Sequence, residues 1–281
     1  FTFVKENINR MFSDLFSKFF LKKNKLIYKA FKKKPNFKKF LDLVKKGITP
    51  RPHYGLCLIL AAQQAKDLGM KKIKVIEFGC ENFGGVLDIE NYVNDIKSFL
   101  DIEIEIFGFT SKEGLPKNKI TRFDRLYRWG PGDYKLKKNN YFKKLKYSKI
   151  YFGDIRNTIP KFLIENKKTF KDSPIGSIFF DLDYYTSTKV GLNIFKLSAD
   201  NYLPRTYLYF DDHSFSGFDE GERRAINEFN KKSKYKISDI GELAEHLSIF
   251  FYKWIFLGKR IKVINYFNNK NYNKKVFQIL G

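Results

Sequence analysis

Residues 177–213 read SIFFDLDYYTSTKVGLNIFKLSADNYLPRTYLYFDDH. Two apolar runs, Ile175–Phe180 and Tyr207–Phe210, each end in a pair of acids: Asp181 and Asp183, then Asp211 and Asp212. A helical stretch, Lys189–Leu197, lies between them. Strand, helix, strand is the unit of a parallel sheet, and it places both strand ends on one edge. Ligands of open α/β sheets bind at that edge. Four carboxylates gathered there repel unless a cation or shared protons hold them, so a hard divalent ion such as Mg2+ is one expectation. Acids that merely cap helices or face water are the plainer alternative.

Upstream, KKIKVIEFGCENFGG opens a second unit of the same kind. Ile73–Phe78 has the composition of a buried strand, Gly79, Gly84 and Gly85 make a glycine-rich turn, and Val86–Leu100 continues as a helix. Backbone can approach a ligand closely at such a turn. Glu77 at the strand's end suits a ligand with an amino group better than a diphosphate. Ile102–Phe109 is the next strand. Where nucleotide-binding folds carry an acid near the second strand's end for ribose hydroxyls, this chain has Thr110, with Glu113 three residues on. The loop after it (RFDRLYRWGPGDYKLKK) is long enough to be a lid. Lys149–Phe152 reads as a further strand tipped by Gly153 and Asp154. The remaining expectations are a helix over Glu220–Asn230, an edge strand over Arg260–Phe267, another strand over Val276–Leu280, and a helix or strand over 243–256.

The 281 residues leave room for one large α/β domain, taken as 50–281, behind an extension over 1–49. Fourteen Lys and Arg stand against three acids in residues 1–48, and aromatic residues recur on one helical face there. That helix could lie on an anionic membrane surface; packing on the main domain is the preferred reading. The net charge of +24 invites a nucleic-acid partner, but abundant Lys, Asn, Ile, Phe and Tyr also describe an ordinary solvated, lysine-rich surface, and no specific nucleic acid is expected. Two cysteines, Cys57 and Cys80, form no metal-ligand spacing or disulfide framework, which favours a reducing compartment. No apolar run reaches the ~20 residues of a membrane span. A cytoplasmic location is expected, with a peripheral contact at a membrane's inner face if 1–49 binds there.

VIEFGCENFGG, GFTSKEGLP, YFGDIRNTIP, FFDLDYYTST, YFDDH and GERRAINEFN, in that order, resemble the class I S-adenosylmethionine-dependent methyltransferases, and more closely the macrocin O-methyltransferase (TylF-like) group. The resemblance covers roughly residues 50–231. It implies a Rossmann-like seven-stranded, mostly parallel sheet with one antiparallel strand and helices on both faces, S-adenosylmethionine as cofactor, Mg2+, and methylation of a sugar or other polyhydroxyl acceptor, a saccharide or glycolipid-like molecule. Carried over, Glu77, Gly79 and Gly85 would lie by the methionine part of the cofactor and Asp154 near the adenine. Asp181, Asp211 and Asp212 would hold the metal, and Asp183 would be the general base, pointing to the same sheet side as Asp181. His213 is a second candidate base, and His53, Tyr54 and Trp129 are candidates for the acceptor pocket. The chain departs from the family pattern in a longer glycine turn holding Glu81 and Asn82, in Thr110, in DNYLPRTYLYF before the last acids, and in His213. The competing readings are a nucleic-acid methyltransferase and a catalytically degenerate domain that binds a partner or membrane.

Overall fold

The computed structural model describes residues 22–33, 35–136, 142–213, 219–240 and 260–274. Its seven strands are β1 (Lys72–Phe78), β2 (Glu103–Thr110), β3 (Lys149–Phe152), β4 (Ile175–Phe180), β5 (Tyr202–Phe210), β6 (Ile237–Asp239) and β7 (Ile261–Asn265). They form one sheet in the order β3-β2-β1-β4-β5-β7-β6. β1 to β5 run parallel, and β7 is antiparallel to both of its neighbours. This is the Rossmann-like α/β sheet expected from the sequence. One strand is corrected: β7 sits inside the sheet, and the short β6, which the apolar pattern did not reveal, is the edge. Val276–Leu280, 243–256 and the aromatic face of 1–21 lie outside the described residues.

Alternation along the central strands explains why both faces are covered. Ile73, Val75, Phe179, Tyr207 and Tyr209 join one core cluster, while Ile76, Phe78, Ile178, Phe180, Leu208 and Phe210 join the other. On the first face lie α1 (helical residues 22–31), α2 (Phe37–Lys45), α3 (Pro52–Asp67) and α4 (Gly84–Leu100). α5 (Ile155–Asn166), α6 (Tyr185–Gly191) and α7 (Gly221–Lys232) lie on the second. α3 is apolar almost all round because it is enclosed by α2, α4, β4 and β5. Phe31, Phe40, Leu43 and Val44 enter this core, and Lys32 holds Asp95 of α4 at 2.5 Å. The part of the basic extension that is described therefore packs on the main domain. Among the described residues, no helix is long and apolar enough to cross a membrane.

A row of aromatic rings fixes the register under the future site. Phe78 pairs with Phe109 and with Phe180, and Phe180 with Phe210, at centroid distances of 4.9, 5.2 and 4.5 Å. Each such contact contributes ~0.5–1.5 kcal/mol beyond area burial. Because these rings are aligned, the residues after them are aligned too. The Asp181 amide donates to the Phe78 carbonyl and the Asp211 amide to the Phe180 carbonyl, each at 3.0 Å.

Candidate active site

The strand ends open into a cavity of about 600 Å³. Its wall includes Gly79, Thr110, Glu113, Asp154, Asp181, Asp183, Asp211 and Asp212, with Arg51, Trp129 and Tyr134. Seven of the ten site residues singled out from the sequence, Gly79 among them, thus meet at one opening. Glu77 and Gly85 lie just behind the wall, and His213 lies elsewhere.

At the β1 end, Gly79 has φ +94°, and a Cβ there would stand 1.7 Å from the Asp181 carbonyl oxygen. The turn is therefore bare backbone, pressed against β4. Glu77 is 2% exposed and accepts a hydrogen bond of 3.0 Å from the Tyr54 hydroxyl. A Cβ on Gly85 would lie 1.8 Å from Glu77 Oε1, so the start of α4 is built around this carboxylate. Glu77 Oε2 has no hydrogen-bond partner among the described residues. Burial pushes the Glu77 carboxyl up to about 7, against the pull of Arg51 and of the Tyr54 and Cys80 hydrogen bonds.

Asp154 caps α5, accepting from the Arg156 amide at 2.8 Å and from its guanidinium at 2.8 Å. Glu113 stands at the exposed rim, 3.3 Å from Lys135.

The four aspartates cluster, though not by simple strand alternation. β4 stops at Phe180, and Asp183 has φ +49°, a left-handed conformation costing ~1–2 kcal/mol in a non-glycine residue. This turn brings Asp183 beside Asp212, to which it is hydrogen-bonded. Burial, then the Asp212 charge, push Asp183 up to about 9. Asp181 is also raised, by burial and by Asp211, Glu77 and Asp212. Asp212 is raised by burial, while its bond to Asp183 and the Arg125 charge pull it down. Beneath them Glu222 of α7, fully buried, accepts from the Asp212 amide at 2.8 Å and is raised by burial and by Asp212, Asp211 and Asp181.

The expected Mg2+ finds no support in the structure. Among the described residues, no group of three or more His, Cys, Asp or Glu side chains is arranged to hold a metal ion. Asp211 Oδ1 instead accepts from the Tyr209 hydroxyl at 2.7 Å and faces Arg260 at 3.3 Å, while Asp212 faces Arg125 at 3.8 Å. The acids that the pattern assigned to Mg2+ are met by arginines from distant segments, and the trio Asp181, Asp211 and Asp212 does not fit the ion as it stands.

His213 is absent from the cavity wall. Burial and Lys262, with smaller contributions from Arg223 and Arg260, push its imidazole down to about 4. His53 stacks on Tyr209 at 4.3 Å, and Tyr54 serves Glu77, so neither lines the cavity. Trp129 does.

The loop that carries Trp129 is bolted down. Its stem is a short ladder in which the Leu115 amide donates to the Asp133 carbonyl at 2.8 Å and the Gly132 amide to the Leu115 carbonyl at 2.9 Å. Its tip is held by Asp124, fully buried, whose carboxylate accepts from the amides of Thr121 (2.5 Å) and Thr186 (2.7 Å) and from both threonine hydroxyls. Asp124 thereby satisfies the first turn of α6, which is why that helix begins at Tyr185 rather than at Lys189. Beside it Arg125, 1% exposed in its side chain, lies between Asp212 and Glu220 and 4.6 Å from the Trp129 ring. Held in this way, the described part of the loop forms a wall of the cavity through Arg128, Trp129 and Tyr134.

No protein-family model matches the sequence, and no curated protein matches it. Similar solved structures include the O-methyltransferase NovP (12% identity, 74% of this chain and 76% of that one, TM-score 0.47). Others are CalS11, a TDP-rhamnose 3′-O-methyltransferase (19%, 78% and 88%, 0.38), and the plantazolicin methyltransferase BpumL in complex with SAH (11%, 76% and 83%, 0.35). At these identities and TM-scores the likenesses carry no argument about chemistry, and the functional reading rests on the site.

Proposed function

We propose that the protein is an S-adenosylmethionine-dependent O-methyltransferase whose acceptor is a sugar or another polyhydroxyl compound. One observation carries this reading. A single cavity joins a glycine turn with no room for a side chain at Gly79 to a cluster of aspartates in which burial raises the proton affinity of Asp181, Asp183 and Asp212.

The residues fit the cofactor. Gly79 lets an extended ligand lie on backbone. The unpartnered Glu77 Oε2 offers an acceptor to an amino group at the same turn. Asp154 and Ile155 at the head of α5 line the same cavity, as do Leu115 and Pro116, and would lie by the adenosine. Thr110 and Glu113 are the polar groups available to ribose hydroxyls there. The volume falls in the ~300–1,000 Å³ range of small-molecule sites.

When bound, the cofactor supplies a methyl group on a positively charged sulfur. The chain's own tasks are then to orient an acceptor hydroxyl and to take its proton. Asp183 is the base in its ionised form. Hydroxyl-rich acceptors offer several donors to the carboxylates of Asp181, Asp183 and Asp211, and Trp129 and Tyr134 supply flat walls for a ring. No step is assigned to a metal ion.

The test is titration calorimetry with S-adenosylmethionine, followed by transfer of labelled methyl to a panel of sugars and glycolipids, with and without Mg2+. Micromolar binding and transfer to a hydroxyl are expected. Failure of the intact protein to bind the cofactor under any of these conditions would remove the reading.

A further inference from the structure

The glycine turn has a neighbour that the sequence pattern did not mark. Arg51 stands immediately before Pro52, the first residue of α3, with φ +38° and ψ +60°. A following proline disfavours the right-handed helical region, and a left-handed non-glycine residue carries its own cost. This strained position directs the side chain across to α4. Nε lies 3.3 Å from Asp88 Oδ2, and Nη2 lies 3.8 Å from the point where a Cβ on Gly84 would be. The guanidinium thus lies along the entrance of α4, in the cavity wall with Gly79, Glu81 and Asp181, and is 38% exposed.

A guanidinium and a pair of acids therefore flank one backbone turn. Arg51 and the N-terminus of the 17-residue α4 are positive. Opposite them stand two acids: Glu77, buried with Oε2 unpartnered among the described residues, and Asp181, both with proton affinity raised by burial and both favoured in the ionised form by an incoming ammonium group. Among the described residues outside α4, Arg51 Nη2 alone comes within 4 Å of a Cβ placed on Gly84, at an ordinary contact distance of 3.8 Å, so the guanidinium is the group that stands over this helix end. A positive and a negative group facing one open turn complement an amino-acid zwitterion. A guanidinium fork pairs with a carboxylate through parallel hydrogen bonds.

We propose that Arg51 binds the α-carboxylate of the cofactor's amino-acid portion and makes the site select the whole S-adenosyl amino acid over nucleosides that lack it. The inference rests on the cofactor reading above. It adds a residue from outside the glycine turn, with Asp88 as the group that orients its guanidinium.

Calorimetry on the full chain with two ligands tests it. S-adenosylhomocysteine carries the amino acid, and 5′-methylthioadenosine does not. Arg51→Gln is expected to weaken S-adenosylhomocysteine by about 10- to 100-fold, the loss of a charge-assisted pair, and to leave methylthioadenosine within about 2-fold. Arg51→Lys keeps the charge without the fork, and should fall between the wild type and Arg51→Gln for the first ligand only. Melting curves of the free variants establish that they are folded. An Arg51 that only ties α3 to α4 would lower the melting temperature and weaken both ligands together, and that outcome overturns the proposal. Unchanged S-adenosylhomocysteine affinity in a folded Arg51→Gln also overturns it. If the wild type binds neither ligand, the cofactor reading itself falls, a result distinct from a wild type that binds both and a variant that does not discriminate.

Discussion

Glu77→Gln should gain stability relative to the wild type, in the ligand-free protein, as the pH rises from acid to alkaline. The Glu77 carboxyl ordinarily loses its proton near 4.5, and burial raises it to about 7 in the fold. Between those values the unfolded chain is ionised while the folded one still holds the proton. Stability therefore falls as pH rises through the window and levels off above about 7. The full loss is about 3 kcal/mol from this group. Glutamine keeps an oxygen for the Tyr54 hydroxyl and has nothing to ionise. Its amide nitrogen takes the place of Oε2, which has no partner, so the substitution also carries a desolvation cost. That cost does not depend on pH and cancels when the two conditions are compared. Urea unfolding of wild type and variant at pH 4 and pH 8 reads the quantity directly. The difference in unfolding free energy should grow by about 3 kcal/mol between the two, or roughly 6–12 °C in melting temperature. A difference that is the same at both pH values would refute the reasoning, because Glu77 would then be ionised at no cost and its pocket would have no stored demand for a cation. The same variant should bind S-adenosylhomocysteine more weakly, since the acceptor for the amino group is gone.

Three further outcomes follow from the geometry. Asp183→Asn should lower methyl transfer by about 10²- to 10⁴-fold, the usual contribution of a positioned base, while cofactor binding measured by calorimetry stays the same. With Asp183 pushed up to about 9, the wild-type kcat/KM should rise with pH through the neutral range, and a flat profile from pH 6 to 9 would argue against this base. Gly79→Ala forces a methyl group to within 1.7 Å of the Asp181 carbonyl at φ +94°; unfolding should show a loss of about 2 kcal/mol or more, and calorimetry a loss of cofactor binding. Asp124→Ala removes the acceptor for two amides and two hydroxyls, so denaturation should show a cost of about 2–4 kcal/mol, and protease should cut within 111–136 faster than in the wild type.

Much of the fold was legible because both faces of the sheet are buried. Runs such as Ile73–Phe78 and Tyr207–Phe210 carry enough apolar residues to be read as strands without any partner. Strands β6 and β7 were harder. β6 has three residues, Ile237–Asp239, and only Ile237 is buried, so no run of apolar residues announces it. The alternation over Arg260–Phe267 suits an edge strand, yet Lys262 within it is buried through its aliphatic stem and pairs with Asp239 of the true edge. The start of α6 depends on Asp124, a residue 62 positions away along the chain, and no local pattern contains it.

The candidate site divides along the same line. The carboxylates were visible because acids at the ends of apolar runs are conspicuous, and because strand–helix–strand units set those ends on one edge. Their partners were not, because they come from elsewhere: Arg51 before α3, Arg125 in the loop after β2, and Arg260 at the start of β7. This is also why the metal expectation and the structure part ways. Crowded acids demand positive charge, and the sequence pattern shows the demand without showing what meets it. A hard cation and a set of guanidinium groups satisfy it equally on the page of a sequence. Long-range folding decides between them, by bringing Arg125 and Arg260 to 3.8 and 3.3 Å from Asp212 and Asp211. At the β1 end, among the described residues, Glu77 keeps one oxygen unbonded and Arg51, paired with Asp88, reaches to the helix entrance.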